Sequence, residues 1–234
     1  MARHYIAFDI ETAKIIDGPV GELKSHRPLG ITCAATLSSN EDEPRTWHGK
    51  TGEGTPSPRM SAEEVSELVR FLVDAGSNGA TILTWNGLGF DFDILAEESG
   101  MPEECKQLAR DHVDMMFHVF CQLGYPIGLG KAAEGMGLPG KSSTETQKLA
   151  PNMWADGLYD EILDYVAQDA RATLSVGQAC EERGEICWIT RKGYPSCKPL
   201  PDGWLTVTEA LALPEPDTSW MDDPMKRTGF TDWL

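Results

Sequence analysis

The stretch YIAFDIET, residues 5–12, decides the fold. Tyr5, Ile6, Ala7, Phe8 and Ile10 form an apolar run of strand length. Strand side chains alternate between faces, so Asp9 and Glu11 project from the same side. Two neighbouring carboxylates repel unless one is protonated, a Lys or Arg neutralises them, or a cation lies between them. A strand that ends at the surface, with both acids solvated and Thr12 opening a turn, carries the same letters. Other segments must supply the partner that this pair asks for.

The composition narrows the choice. A chain of 234 residues with 41% hydrophobic content suits one mid-sized domain with an ample core. No apolar run approaches the roughly 18 residues of a membrane span. MARHYIAFDIET holds no signal-like apolar segment ahead of its acids, so a cytoplasmic protein without a membrane partner is expected. The cysteines, at 33, 105, 121, 180, 187 and 197, follow no CxxC spacing and are expected to be reduced, packing thiols. A metal shared by Cys180, Cys187 and Cys197 would lack histidine, since none follows His118. The formal net charge of −17, from 37 acidic and 20 basic residues, argues against a protein that coats a duplex. It leaves room for one that grips a strand end through divalent ions.

Around the opening strand, the apolar ITCAATLS and the short RTWHG suggest two further strands, making an antiparallel meander. Between strands one and two, AKIIDGPVGELKSHRPLG is a polar loop. At Ser61 the letters SAEE form a capping box ahead of Val65, Leu68, Val69 and Leu72, the stripe of an amphipathic helix. ATILTWN is a fourth strand and FDFDILAEESG opens another helix. Residues 103–110 and IGLGKAAEGMGL are helical in pattern. YDEILDYVAQDARATLSVGQACEERG is the longest helix. Strands followed by helix, strand and helix imply an α/β class with a mixed sheet flanked by helices. The character changes near residue 186, which divides the chain into a main domain over 1–185 and a C-terminal part over 186–234. In the latter, EICWIT and SCKPL flank RKGYP as a hairpin, WLTVTEALAL adds one more element, and an extended tail carries Trp220, Phe230 and Trp233. Disordered tails are poor in aromatics, so these three are expected to dock, on this chain or on a protein partner.

Two later segments answer the first. In TWNGLGFDFDIL a strand runs to Asn86, a glycine-containing turn follows, and Asp91 falls in the first turn of a helix, where a simple capping acid is also favoured. In DYVAQDARATL, Tyr165 and Asp169 are four apart and share a helix face, as a core tyrosine beside a surface acid also would. Together, in this order, the three segments resemble the DnaQ-like, or DEDD, 3′-to-5′ exonucleases of the ribonuclease H-like fold. That family's first motif, DxE, matches Asp9 and Glu11. Its second, Asn followed after a short spacer by aromatic-Asp, matches Asn86, Phe90 and Asp91. Its third, in the Tyr-xxx-Asp form, matches Tyr165 and Asp169, and residue 164 is Asp164 where the His-xxxx-Asp form needs histidine. The resemblance is therefore to the Tyr subgroup found in family A and B DNA polymerases, and it covers roughly residues 3 to 180. Asp93 and Asp114 are left as bystanders. A haloacid dehalogenase-type phosphatase needs a second Asp followed by Gly and Thr or Val, which DIET lacks.

The resemblance implies a fold, a reaction and a set of roles. The fold is an antiparallel meander continued by parallel strands. The reaction is hydrolysis at the single-stranded 3′ end of a nucleic acid, DNA favoured over RNA. It depends on two Mg²⁺ or Mn²⁺ ions held by Asp9, Glu11, Asp91 and Asp169. Asp9 bridges both ions, Glu11 and Asp169 complete one site, and Asp91 holds the other through water. Tyr165 orients the attacking water, from which Glu11 accepts a hydrogen bond. Ile10, Thr12, Asn86 and Phe90 are candidates for contact with the terminal nucleotide. Lys14, Lys24, His26 and Arg27 form the nearest cluster of positive charge and suit backbone phosphates, or simply a solvated loop. The rival reading is a catalytically quiet nuclease-fold module that binds protein through its aromatic tail.

Overall fold

The computed structural model describes residues 3–16, 25–139 and 144–234, with backbone only over 144–149. Strand β1 (Tyr5–Thr12) pairs antiparallel with β2 (Ile31–Ser38), which pairs antiparallel with β3 (Arg45–His48). The expected meander is therefore present. Helix α1 (Ala62–Ser77) starts at Ser61, whose capping box with Glu64 is formed in full, and buries Val65, Leu68, Val69 and Leu72. It leads into β4 (Thr81–Thr84), which returns parallel to β1. Helices α2 (Asp91–Glu98) and α3 (Pro102–Asp111) precede the two-residue β5 (Val113–Asp114), parallel to β4, and α4 (Met115–Leu123). Then come α5 (Leu129–Met136), α6 (Thr144–Ala155) and α7 (Tyr159–Arg183). The sheet order is β3-β2-β1-β4-β5, with β1 at its centre.

Each face of the sheet has its own core. Tyr5, Ala7, Cys33, Ala35 and Leu37 pack with α5 and α7, while Ile6, Phe8, Ile10 and Ala34 pack with α1, α2, α3 and α4. The alternation read from YIAFDIET is the physical basis of this division. Asp9 and Glu11 continue the face of Tyr5 and Ala7, the one covered by α7. That helix lies tight on the sheet at Gly177, where an added Cβ would come within 2.5 Å of Leu83 Cδ2.

The segment after residue 184 is joined to this body. Strands β6 (Glu185–Ile189) and β7 (Pro195–Pro199) form the expected hairpin, which lies on α5 and α7. Trp204 is buried, and its indole N–H donates to Gly177 O at 3.0 Å. Short helices α8 (Val207–Leu211) and α9 (Thr228–Thr231) follow, and the second core includes Val207 and Phe230.

Two expectations need correction, and one helix goes unanticipated. Cys187 and Cys197 are not reduced thiols but a disulfide, with an S–S distance of 2.02 Å; Cys33, Cys105, Cys121 and Cys180 are free and buried. The hairpin register sets Cys187 directly opposite Cys197, a proximity that sequence spacing does not reveal, and such bridges are more usual in oxidising compartments. Helix α6 is not legible in the sequence, because it carries Pro151 and little apolar periodicity. Of the three tail aromatics, Phe230 is buried and Trp233 partly so, but Trp220 is 68% exposed and touches only the edge of Tyr125 among aromatic rings of the described residues.

Candidate active site

The helix α7 face predicted from the i, i+4 spacing meets the β1 face predicted from the alternation. Oxygen atoms of Asp9, Glu11 and Asp169 all lie within 4.8 Å of one another. Asp169 is only 1% exposed, whereas Asp9 and Glu11 are half-buried at the open end of β1. Tyr165, one helical turn before Asp169, is 4% exposed and shares a side-chain hydrogen bond with it. Burial, then the charges of Asp169, Glu11 and Asp9, push the phenol far above its ordinary range. Its hydroxyl is therefore held in the protonated, hydrogen-bond-donating form.

Asp91 reaches the same strand from the other side. Register pairing of β1 with β4 runs from Tyr5↔Thr81 to Ala7↔Leu83, and beyond it the Ile10 amide donates to Asp91 Oδ1 at 3.1 Å. Asp91 is buried at the first turn of α2 and lies outside the 4.8 Å cluster of the other three acids. Ile10 itself is buried in the second core, Thr12 is buried, and Asn86 and Phe90 are half-buried on the turn before α2.

That turn is held by residues that no sequence motif singles out. Asn86 has φ 75°, left-handed backbone that asparagine tolerates better than most residues. Asp114, the N-cap of α4, accepts from Asn86 N at 3.0 Å, Leu88 N at 2.9 Å and Phe117 N at 3.0 Å. Burial raises its carboxyl to about 6 despite those amides. Gly87 N donates to Thr84 Oγ1 at 3.2 Å, and Thr84 in turn meets His112 Nε2 at 3.0 Å. His112 Nδ1 faces Ala109 O at 2.9 Å and must carry the proton, so Nε2 accepts from the threonine. Burial lowers this histidine to about 3, which keeps it neutral. Asp114, a bystander by its sequence, thus organises the Asn86 turn. Its signal is a single acid before an apolar helix, a common N-cap pattern.

Asp93 also has a task. It pairs with Arg27, which reaches Glu97 at 3.3 Å as well. Arg27 is therefore committed to α2, while Lys14 contacts His26 O. Lys24 lies outside the described residues. Past the end of β1, Ala13 N donates to Gly30 O at 3.1 Å, and this rung borders a cavity of about 520 Å³. Lys14, Pro28, Leu29, Pro58 and Arg59 complete its described lining, which includes two cations and no acid.

The donor set fits a hard divalent cation. Asp9, Glu11 and Asp169 offer oxygen alone, converging at ligand-to-ligand spacing. Glu185, Cys187 and Cys197 also lie close together, but the disulfide removes both sulfurs as thiolate ligands.

No family model and no curated protein matches the chain by sequence. Solved structures do match. A family B DNA polymerase from the hyperthermophilic archaeon Pyrobaculum calidifontis superposes with a TM-score of 0.52 at 19% identity, over 77% of this chain and 25% of that one. This is a ribonuclease H-like fold. A product-bound exonuclease I gives a TM-score of 0.40 at 14% identity, covering 78% of this chain and 44% of that one. Exonuclease I from Methylocaldum szegediense gives 0.39 at 18%, covering 78% and 41%. The chain thus spans less than half the length of each of these proteins, and at such identities the likeness is one of fold.

Proposed function

We propose that this chain is a metal-dependent 3′-to-5′ exonuclease that hydrolyses phosphodiester bonds at single-stranded 3′ ends, with DNA favoured over RNA. The observation that carries the reading is the meeting of Asp9, Glu11 and Asp169 within 4.8 Å beside a protonated Tyr165. Two Mg²⁺ or Mn²⁺ ions bound by these acids and Asp91 would neutralise phosphate charge and activate water. Asp9, Glu11 and Asp169 would together hold one ion, and Asp91 would help to hold the other with Asp9. Tyr165 donates a hydrogen bond that aims the attacking water, and Glu11 accepts one from it. Asn86 and Phe90 border the terminal nucleotide with Ile10 and the backbone of Thr12. Upstream phosphates pass the cavity at the end of β1, where Lys14 and Arg59 offset an acidic chain. The organisation 1–185 for catalysis and 186–234 as an appended part belongs to the same reading.

The test is hydrolysis of single-stranded DNA and RNA, each labelled at the 5′ end, with Mg²⁺ or Mn²⁺. Progressive shortening from the 3′ end, abolished by Asp9→Ala in a folded protein, is expected. Intact strands under every condition would leave the quiet, tail-binding module as the better account.

A further inference from the structure

Two of the C-terminal aromatics, Phe230 and Trp233, lie on the turn that carries Asn86 and Phe90 and leads into Asp91. Trp233 Nε1 donates to Leu88 O at 2.8 Å. Leu88 is fully buried, and its own N–H is taken by Asp114, so both backbone polar groups of this residue are fixed by side chains, one from α4's N-cap and one from the C-terminal segment. The next residue, Gly89, is enclosed in the same way. A Cβ there would stand 2.9 Å from Phe230 Cδ1 on one side and 2.9 Å from Asn86 Oδ1 on the other. Phe230 is itself wedged between Phe117 and Phe120 of α4, at ring-centroid distances of 5.5 and 4.8 Å.

The segment is not lying there loosely. The Arg227 guanidinium donates to Leu211 O, Leu213 O, Pro214 O and Cys121 O at 3.1, 2.7, 2.8 and 3.1 Å. One side chain thus ties the stretch that runs back from α8 to the last turn of α4. An Arg with this many carbonyl acceptors is a fixed strut, since its planar fork leaves few alternative geometries.

We infer that Phe230 and Trp233 are positioning residues of the active site, bracing the Asn86–Phe90 turn from outside while Asp114 holds it from inside. Asp91 follows that turn directly, so the brace sets where its carboxylate stands relative to Asp9. Neither aromatic needs to touch nucleic acid or metal. The inference rests on the exonuclease reading for its catalytic consequence, but the bracing itself is independent of it.

The decisive comparison is Trp233→Phe, which keeps the ring and loses the hydrogen bond, against Trp220→Ala, which alters the same segment away from the turn. Amide hydrogen exchange in metal-free protein is expected to quicken about fivefold over residues 86–92 in Trp233→Phe, and to stay unchanged there in Trp220→Ala. Mn²⁺ binding, followed by electron paramagnetic resonance, is expected to weaken by a similar factor for one of two ions. Turnover lost at limiting Mn²⁺ should return at excess metal, which a general loss of stability would not produce. If wild-type protein binds Mn²⁺ but cleaves nothing, the exonuclease reading fails while the exchange and binding results still judge the brace. Equal exchange at residues 86–92 in wild-type and Trp233→Phe protein would overturn it.

Discussion

Replacing Asp169 by asparagine should stabilise the metal-free protein while destroying its activity. Asp169 faces two other carboxylates, Asp9 and Glu11, with oxygens within 4.8 Å. At that separation a pair of unit charges repels by about 0.9 kcal/mol in a water-like medium and about 3.5 kcal/mol at an effective dielectric of 20. Two such pairs give roughly 2 to 7 kcal/mol, and proton uptake and salt bring the real figure to the lower end. Loss of the charge-assisted bond from Tyr165 offsets about 1.5 kcal/mol of this. A net gain on the order of 0.5 to 2 kcal/mol remains, or roughly 1 to 8 °C in melting temperature for a chain of this size. Thermal unfolding followed by circular dichroism, in chelator and then in excess Mn²⁺, reads this directly. Wild-type protein should gain stability from the metal and the Asp169→Asn protein should gain little, with hydrolysis reduced at least about a hundredfold. A variant that melts lower than wild type in chelator yet responds equally to Mn²⁺ would refute the reasoning.

Other outcomes follow from the same geometry. Tyr165→Phe should slow turnover by an amount equivalent to about 2 to 4 kcal/mol in the barrier while Mn²⁺ affinity holds, and unchanged turnover would return the tyrosine to a packing role. Asp114 has a folded value of about 6, above the ordinary value of about 3.9, so its protonated form is favoured by folding. Its contribution to stability is therefore fully present below about pH 4 and is lost as pH rises through 6. The stability difference between wild type and Asp114→Asn should step on the order of 2 to 3 kcal/mol across that window, measured by urea unfolding; a flat difference would remove the assignment. Arg59→Ala should raise KM for single strands and flatten its salt dependence with little change in kcat, whereas an effect confined to kcat would place the strand elsewhere.

The parts of the site that are legible in the sequence are those set by local periodicity. Asp9 and Glu11 share a face because strands alternate, and Tyr165 and Asp169 share one because helices repeat near every fourth residue. What joins them is tertiary, the crossing of α7 over β1, and the family resemblance supplies that step. Asp114 is opaque because β5 is two residues long, too short to show any period, and an acid before a helix is commonplace. Arg27 can be counted as a cation but not placed, since its pairing with Asp93 and Glu97 joins residues about 70 apart. The disulfide depends on hairpin register, and the difference between buried Phe230 and exposed Trp220 on the path of the tail.

The central position of β1 makes its alignment unforgiving. It is laddered antiparallel to β2 on one edge and parallel to β4 on the other, so a slip of one residue would have to break both ladders at once. Such a slip would turn Asp9 and Glu11 into the face occupied by Phe8 and Ile10, and bring those apolar side chains to the carboxylate of Asp169. No half-shifted arrangement keeps either core intact. An insertion or deletion between Tyr5 and Glu11 would therefore carry the two acids away from Asp169, whereas the ladder with β2 already takes up a register shift one step later, between Glu11 and Thr12.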